Sequence, residues 1–359
     1  MNLALNFLGK QIQSPLILAS GPLSHNGEAI VRAYEAGYGA VVTKTISAVA
    51  AKNPFPHIIK NGRSLFNCEK WSDISYKQWI SKEIPFAKKQ GAVVIASIGL
   101  SPADVELLAQ PLANSGADFI ELVSYRSENI VDMVKEAVTK VKIPVIAKVS
   151  FNWPDCAVIA KRCLKAGAAA ISAIDSVGPG LRIDIRSGKP FLGSADGRGW
   201  ISGEAIKPLA LHCVAEISSL APEAVIIGVG GISNAEDVLE MLMAGASVAG
   251  LCSLPIKKGL ESTKKLLADL SHLMDQLGYD SPASVKKICL AHDNKEKYFA
   301  DGKIRVRNET CTACNLCLRL CPYEAIHVKN DDYEILHPKC HLCGYCISIC
   351  PVHALSLGE

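Results

Sequence analysis

Eight of the fourteen cysteines fall between Cys311 and Cys350, in two runs of one spacing. The first is Cys311-x2-Cys314-x2-Cys317-x3-Cys321-Pro322 and the second is Cys340-x2-Cys343-x2-Cys346-x3-Cys350-Pro351. Thiolates at this spacing hold [4Fe–4S] cubanes, because a tight loop delivers three sulfurs to one cluster and the Cys before Pro ligates its twin. One expected set is therefore Cys311, Cys314, Cys317 and Cys350. The other is Cys340, Cys343, Cys346 and Cys321. Structural zinc sites also use CxxC pairs, but with longer intervals between them. A disulfide framework suits a short secreted chain, which this one of 359 residues is not. Two clusters this close in sequence form an electron wire. Such a module moves single electrons and does no bond chemistry, which must lie elsewhere on this chain or on a partner.

A second group of reactive residue types stands at the ends of apolar runs. Ala19-Ser20-Gly21 ends one run, Lys44-Thr45 the next, and Lys148 a later one; Gly230-Gly231 and Cys252-Ser253 follow the last two. Glycines and a hydroxyl after the seventh and eighth strands of a barrel form the usual phosphate site. Two lysines converging from different strands stabilise negative charge on a reduced isoalloxazine. One lysine alone reads as a salt-bridge partner. Together with phosphate loops and iron–sulfur runs, the pair reads as an FMN site, and a flavin converts one-electron traffic into two-electron chemistry.

The elements that must position these residues follow from hydrophobic patterning. Strand-like runs cover Leu16–Ala19, Ala40–Thr43, Val93–Ile98, Phe119–Val123, Val145–Val149, Ala170–Ile174, Val225–Gly228 and Val248–Leu251. Helix-periodic stretches such as Pro102–Asn114, Asn129–Val141 and Asn234–Ala244 follow most of them. A small residue plus Gly recurs before alternate strands, at Gly37, Gly116, Gly167 and Gly245, as suits the left-handed turn that ends a helix. Eight βα units predict an α/β TIM (β/α)8 barrel over residues 1–292, with function at the C-terminal strand ends. The rival, a doubly wound open sheet, lacks a strand-linked G-x-G-x-x-G. A polar stretch, 293–308, reads as linker, and 309–359 as a small bacterial-type 2[4Fe-4S] ferredoxin-like domain.

Composition sets the outer bounds. Hydrophobic residues at 49% and charged residues at 20% describe a globular chain with a sizeable core, and exclude a disordered or collagen-like one. A net charge of +3 is too balanced to point to nucleic acid. No apolar run approaches the ~20 residues of a membrane span, and no signal-peptide pattern opens the chain. The expectation is a cytoplasmic protein without membrane attachment.

Several segments carry a resemblance. Glu35-Ala-Gly-Tyr-Gly-Ala-Val-Val-Thr-Lys-Thr-Ile-Ser47, Val94-Ile-Ala-Ser-Ile98 and Gly245-Ala-Ser-Val-Ala-Gly-Leu-Cys-Ser253 resemble the FMN barrel of dihydropyrimidine dehydrogenase. Ser202-Gly-Glu-Ala-Ile-Lys-Pro208 also resembles the wider dihydroorotate dehydrogenase superfamily. The resemblance implies FMN contacts at Ala19, Ser20, Lys44, Thr45, Asn67, Lys148, Ser176 and Gly203, and at Gly230, Gly231, Cys252 and Ser253. It implies a partner subunit that holds FAD and binds NAD(P)H. After the fourth strand, the family's Glu-Leu-Asn-x-Ser-Cys-Pro, whose loop carries an acid/base Cys, is replaced here by Glu121-Leu-Val-Ser-Tyr-Arg-Ser127. After the sixth, Asn-Thr becomes Asp175-Ser176. Most side chains that hydrogen-bond a pyrimidine are thus exchanged.

Tyr125, Cys68, His57 and Asp175 are the remaining candidates for proton transfer. Tyr125 replaces a pocket residue directly, Cys68 follows Asn67, and His57 sits in Asn53-Pro-Phe-Pro-His57 on a possible lid. A single buried Cys more commonly packs. Arg126 suits a substrate carboxylate or a pair with Glu128.

The expected activity is that of an anaerobic FMN/iron–sulfur oxidoreductase. Electrons pass from a ferredoxin or flavoprotein partner through the clusters to FMN, or the reverse, with hydride exchange at a C=C/CH–CH bond of a small cyclic substrate. The alternatives are a true uracil/thymine dehydrogenase subunit, and an electron-transfer flavoprotein subunit of a larger redox complex with no substrate of its own. The chain is expected to form a homo- or hetero-oligomer.

Overall fold

The computed structural model describes residues 3–291, 302–329 and 332–358, in two compact units, 1–292 and 293–359. In the first, eight parallel strands close into a barrel: β1 Leu16–Leu18, β2 Ala40–Val42, β3 Val94–Gly99, β4 Phe119–Val123, β5 Val145–Val149, β6 Ala170–Ala173, β7 Ile226–Val229 and β8 Val248–Leu251. Each pairs with its sequence neighbours, and β8 closes on β1 through Leu251 and Leu18. All eight expected runs are barrel strands, and the TIM barrel followed by a ferredoxin-like unit is the fold observed.

Strand alternation decides what faces inward. Ile17, Val42, Ile95, Phe119, Ile146, Ala170, Ile227 and Val248 fill the barrel interior, while their neighbours pack against the surrounding helices. An N-terminal hairpin, Leu5–Phe7 with Lys10–Ile12, adds Phe7 and Ile12 to this inner cluster, and the Phe7 ring meets Phe119 edge-on at 5.4 Å. The interior is therefore apolar at the N-terminal ends of the strands. Followed upward, the same parity brings Ser97, Glu121, Lys148 and Ser172 inward, all buried. The recurring glycines do what their spacing predicts: Gly37, Gly116, Gly167 and Gly245 have φ of +112°, +105°, +106° and +119°, just after the helices that lead into β2, β4, β6 and β8.

Two insertions at the C-terminal barrel face build a sheet that the sequence patterning does not show. Its antiparallel order is Val177–Leu181, Arg198–Gly203, Ser64–Asn67 and Ile58–Asn61, with Trp200 opposite Asn67. These strands come from the segments after β6 and after β2.

In the second unit, Lys303–Val306 pairs with Leu355–Gly358 and Ile326–Lys329 pairs with Asp332–Ile335. Of the stretch read as linker, 293–301 lies outside the described residues. Lys303–Val306 is a strand of the small unit rather than a connector, because its partner is the last strand of the chain. No helix among the described residues is long and apolar enough to cross a membrane.

Candidate functional site

A cavity of about 370 Å³ opens at the C-terminal face of the barrel. It lies within the size range of cofactor and ligand pockets, ~300–1,000 Å³. Its walls include Ala19, Ser20 and Gly21 after β1, Lys44 and Thr45 after β2, and Lys148 of β5. They also include Asn67 and Gly203 of the inserted sheet, Ser176 after β6, Gly230 and Gly231 after β7, and Cys252 and Ser253 after β8. Tyr125 and Asp175 line it as well. The residues named from phosphate-loop and lysine arguments, far apart in sequence, thus face one space.

Cys68 and His57 do not line it. Asn67 ends a strand and turns into the cavity, so the next side chain points the other way. Cys68 is buried against Phe66 and Leu192, its Sγ 3.9 Å from the Pro56 carbonyl oxygen. The His57 Nδ1 lies 3.0 Å from the carbonyl of Pro54, which ties the ring to its own loop. Arg126 is exposed at the start of the helix Ser127–Lys140 and is not among the lining residues.

Charge in the site is paired. Lys44 Nζ donates to Glu69 Oε1 at 2.7 Å, with both side chains nearly buried. Lys148 Nζ lies 3.5 Å from Asp175 Oδ1. Burial opposes the Lys148 charge, but Asp175 and Glu121 outweigh it and hold the ammonium charged well above the ordinary lysine range. Burial pushes the Glu121 carboxyl up, only partly offset by Lys148, and its Oε1 has no hydrogen-bond partner among the described residues.

A ladder of hydroxyls, Ser20 to Thr45 at 3.3 Å and Thr45 to Ser97 at 3.1 Å, runs from the cavity toward Glu121, whose raised pKa the Ser172 and Ser97 hydroxyls bring down in part. Loss of water and the nearby Asp175 push Tyr125 up to about 12. Burial, against Lys148, pushes Cys252 up to about 12. Both therefore remain protonated at neutral pH.

The glycines serve close approach. Gly231, at φ +82°, leaves no room for a Cβ, which would fall 2.6 Å from the Lys207 Cα. Ser253 Oγ bonds Ser202 Oγ at 3.1 Å beside Gly203. Hydroxyls and glycine backbone on one rim, with a buried ammonium below, fit the phosphate and the electron-rich ring of FMN. Sequence reasoning missed Glu69, Glu121, Ser202 and three tryptophans of the lining. The signal for Glu69 was its spacing of two from Asn67; for Glu121 it was a carboxylate in the otherwise apolar Phe119–Val123.

In the second unit, Cys311, Cys314, Cys317 and Cys350 line one small cavity, and Cys321, Cys340, Cys343 and Cys346 line another. Each run thus sends its last cysteine to the other run's cavity. Among the described residues no group of three His, Cys, Asp or Glu side chains closes on a single ion. Each set of four thiols instead lines a small cavity of its own.

Comparison with known proteins places the architecture. Residues 2–274 match the family model of dihydroorotate dehydrogenase, and residues 303–351 that of a 4Fe-4S dicluster domain. The dihydroorotate dehydrogenase B (NAD(+)) catalytic subunit of Methanosarcina acetivorans is 34% identical over 306 residues, spanning 80% of this chain and 96% of its own length. The subunit of the same name from Thermoplasma acidophilum is 32% identical over 296 residues (78% and 96%), and that of Pyrococcus abyssi 30% over 300 residues (80% and 97%). The resemblance therefore holds at the level of the superfamily, and these relatives carry the dihydroorotate rather than the dihydropyrimidine name. On the barrel match above all, the chain belongs to the dihydroorotate dehydrogenase family of flavin-dependent oxidoreductases acting on CH–CH donors, with a 4Fe-4S dicluster domain C-terminal to the barrel.

Proposed function

We propose that the chain binds FMN at the barrel mouth and two [4Fe–4S] clusters in the small unit, and exchanges a hydride with a C=C/CH–CH bond of a small cyclic substrate. The observation that carries the reading is the paired lysine–glycine cavity, on one chain with two cavities of four thiols each. FMN, when bound, supplies hydride transfer at carbon and the change from two-electron to one-electron traffic.

The protein's own residues set the terms of that chemistry. Gly230, Gly231, Gly203 and Ser253 hold the phosphate, and Lys148 offsets negative charge on the ring. Glu69 keeps Lys44 in place, and Asp175 does the same for Lys148. Tyr125 and Cys252 both face the cavity, and with their pKa values pushed up they stay protonated at neutral pH. The relatives are named catalytic subunits of NAD(+)-type enzymes. By analogy, a ferredoxin or an FAD/NAD(P)H-binding flavoprotein serves as electron donor here.

One observation favours a second reading. The segment Ser124-Tyr125-Arg126 runs straight into a helix beginning at Ser127, without the loop Cys that serves as acid/base in the resembling dehydrogenases. A chain without such a base suits electron transfer without a substrate of its own.

The test is anaerobic. The purified protein is analysed for FMN and for the roughly eight irons of two cubanes, reduced with dithionite, freed of excess reductant, and mixed with orotate, uracil or thymine. Flavin reoxidation by a pyrimidine assigns true dihydropyrimidine or dihydroorotate chemistry. Reoxidation by none of them, but by a ferredoxin, supports the carrier reading. Absence of FMN refutes the proposal.

A further inference from the structure

Away from the cavity, two further cysteines meet in the helical layer of the barrel. Cys156 is the first residue of the helix Cys156–Lys165, and Cys213 lies in the next α-helix, Lys207–Leu220. Their Sγ atoms are 3.0 Å apart, although 57 residues separate them along the chain. Both are free thiols and both are buried. A disulfide bond is ~2.05 Å long, so an approach of about 1 Å turns this contact into one. Cys68, equally buried, faces only a backbone carbonyl.

The two thiols are not equivalent. Cys156 is 8% exposed and Cys213 1%. Pro154 and Asp155, just before Cys156, are exposed, and Asp155 turns the chain into the helix at φ +51°. Contact with Cys156, then burial, push the Cys213 thiol up, which keeps it protonated. Cys156 is thus the sulfur that a small oxidant reaches first, and Cys213 waits behind it.

Both helices begin close to the cavity. Asn152 and Trp153, just before Cys156, line it. Asn152 Nδ2 donates to the Ser176 carbonyl at 3.3 Å, and its Oδ1 accepts from the Gly178 N–H at 3.1 Å. Lys207, the first residue of the second helix, packs on Gly231. A bond between the sulfurs therefore ties together two elements that border one space.

We infer that Cys156 and Cys213 are an oxidation-sensitive pair, which closes to a disulfide when a peroxide reaches it and fastens the segment 150–155 to the helix Lys207–Leu220. The Cys156 sulfur attacks one oxygen of hydrogen peroxide and breaks the O–O bond, giving a sulfenic acid and water. The Cys213 sulfur then displaces the oxygen from Cys156, and its thiol proton leaves with that oxygen as a second water. Two thiols lose two electrons and two protons, and one peroxide becomes two waters. A thiol reductant reopens the bond by exchange and is itself oxidised to a disulfide. In a reducing compartment the pair stays open until peroxide arrives.

The test uses full-length protein purified anaerobically. It is exposed to a small excess of hydrogen peroxide, free thiols are alkylated, and peptides are mapped by mass spectrometry before and after reduction with dithiothreitol. A Cys156–Cys213 cross-linked peptide is expected, forming about tenfold faster than any oxidation at Cys68 or Cys163 and lost on reduction. Hydrogen exchange over residues 150–159 is expected to slow about tenfold in the cross-linked protein, within what such a bond supplies. In Cys213→Ala neither change is expected, and dimedone traps Cys156 as the sulfenic acid. Should that variant fail to fold, Cys156→Ser is expected to abolish the cross-link equally. The cysteines of 311–350 fall in other peptides and are read separately.

Cys156 and Cys213 staying open to alkylation under peroxide, a cross-link from Cys156 to Cys163 instead, or hydrogen exchange over 150–159 unchanged by the bond would each overturn the inference.

Discussion

In the barrel, apolar side chains fill the interior below the site, and the functional groups stand on a scaffold complete without them. In the small unit, the buried cluster is Ile304, Ile326, Tyr333, Ala354 and Leu355 together with Cys317 and Cys350, and further cysteines pack on it. There the proposed ligands are themselves part of the core. A unit of this size is marginal on apolar burial alone, so metal binding, as proposed, would add to its folding free energy. The barrel is therefore expected to lose a site residue and keep its shape, and the small unit to lose order.

The sharpest way to break this contrast is Cys350→Ser. It should release well over half of the roughly eight irons expected for two clusters and make the small unit sensitive to protease, while the barrel keeps its flavin. Iron analysis and limited proteolysis check it. A protease-resistant small unit would show that its apolar residues suffice.

Next in size is Lys148→Met, which leaves Glu121 and Asp175 without their shared cation. Because Asp175 is a third exposed, the loss in denaturant unfolding should stay below the about 3–5 kcal/mol of a fully buried pair.

Glu121→Gln tests the same layer through pH. Burial raises the folded-state pKa of Glu121 above its unfolded value, so the folded chain binds that proton more tightly. Its stabilising contribution is fully present below the ordinary carboxylate range and is lost as pH rises through the folded pKa. The stability of wild type relative to Glu121→Gln should fall with rising pH across that window, by at most about 1.4 kcal/mol per pH unit. Unfolding curves at several pH values measure it.

The smallest effect belongs to His57→Ala. With its ring tied to its own loop, the change should move stability by no more than about 0.5 kcal/mol and leave flavin content and turnover unchanged. Lost turnover would return His57 to the site.

The barrel was legible because each strand is a short run of apolar residues followed by a helix with its own period, both local signals. The cysteine runs were legible because ligand spacing is written along the chain. The inserted sheet was not. Val177-Gly-Pro-Gly-Leu181 has no alternation and is half exposed, and the sheet it joins is closed by Trp200 meeting Asn67, 133 residues away. Cys68 was misplaced for the same reason, since only that pairing shows which face of the strand Asn67 occupies. Lys303–Val306 read as linker because its partner is the last strand of the chain. Glu121 was open to discovery, because parity along Phe119–Val123 turns a carboxylate into the barrel.

The exchange of Cys321 and Cys350 between the two thiol-lined cavities has a further consequence. Neither half of the small unit can be finished by itself, since each waits for a sulfur from the other. Where two clusters load as we propose, seating the first would draw the second half into register, and damage to either would loosen its twin. In such a wire, mutual dependence would turn partial assembly into no assembly, so a chain that carried electrons at all would carry them along the full path.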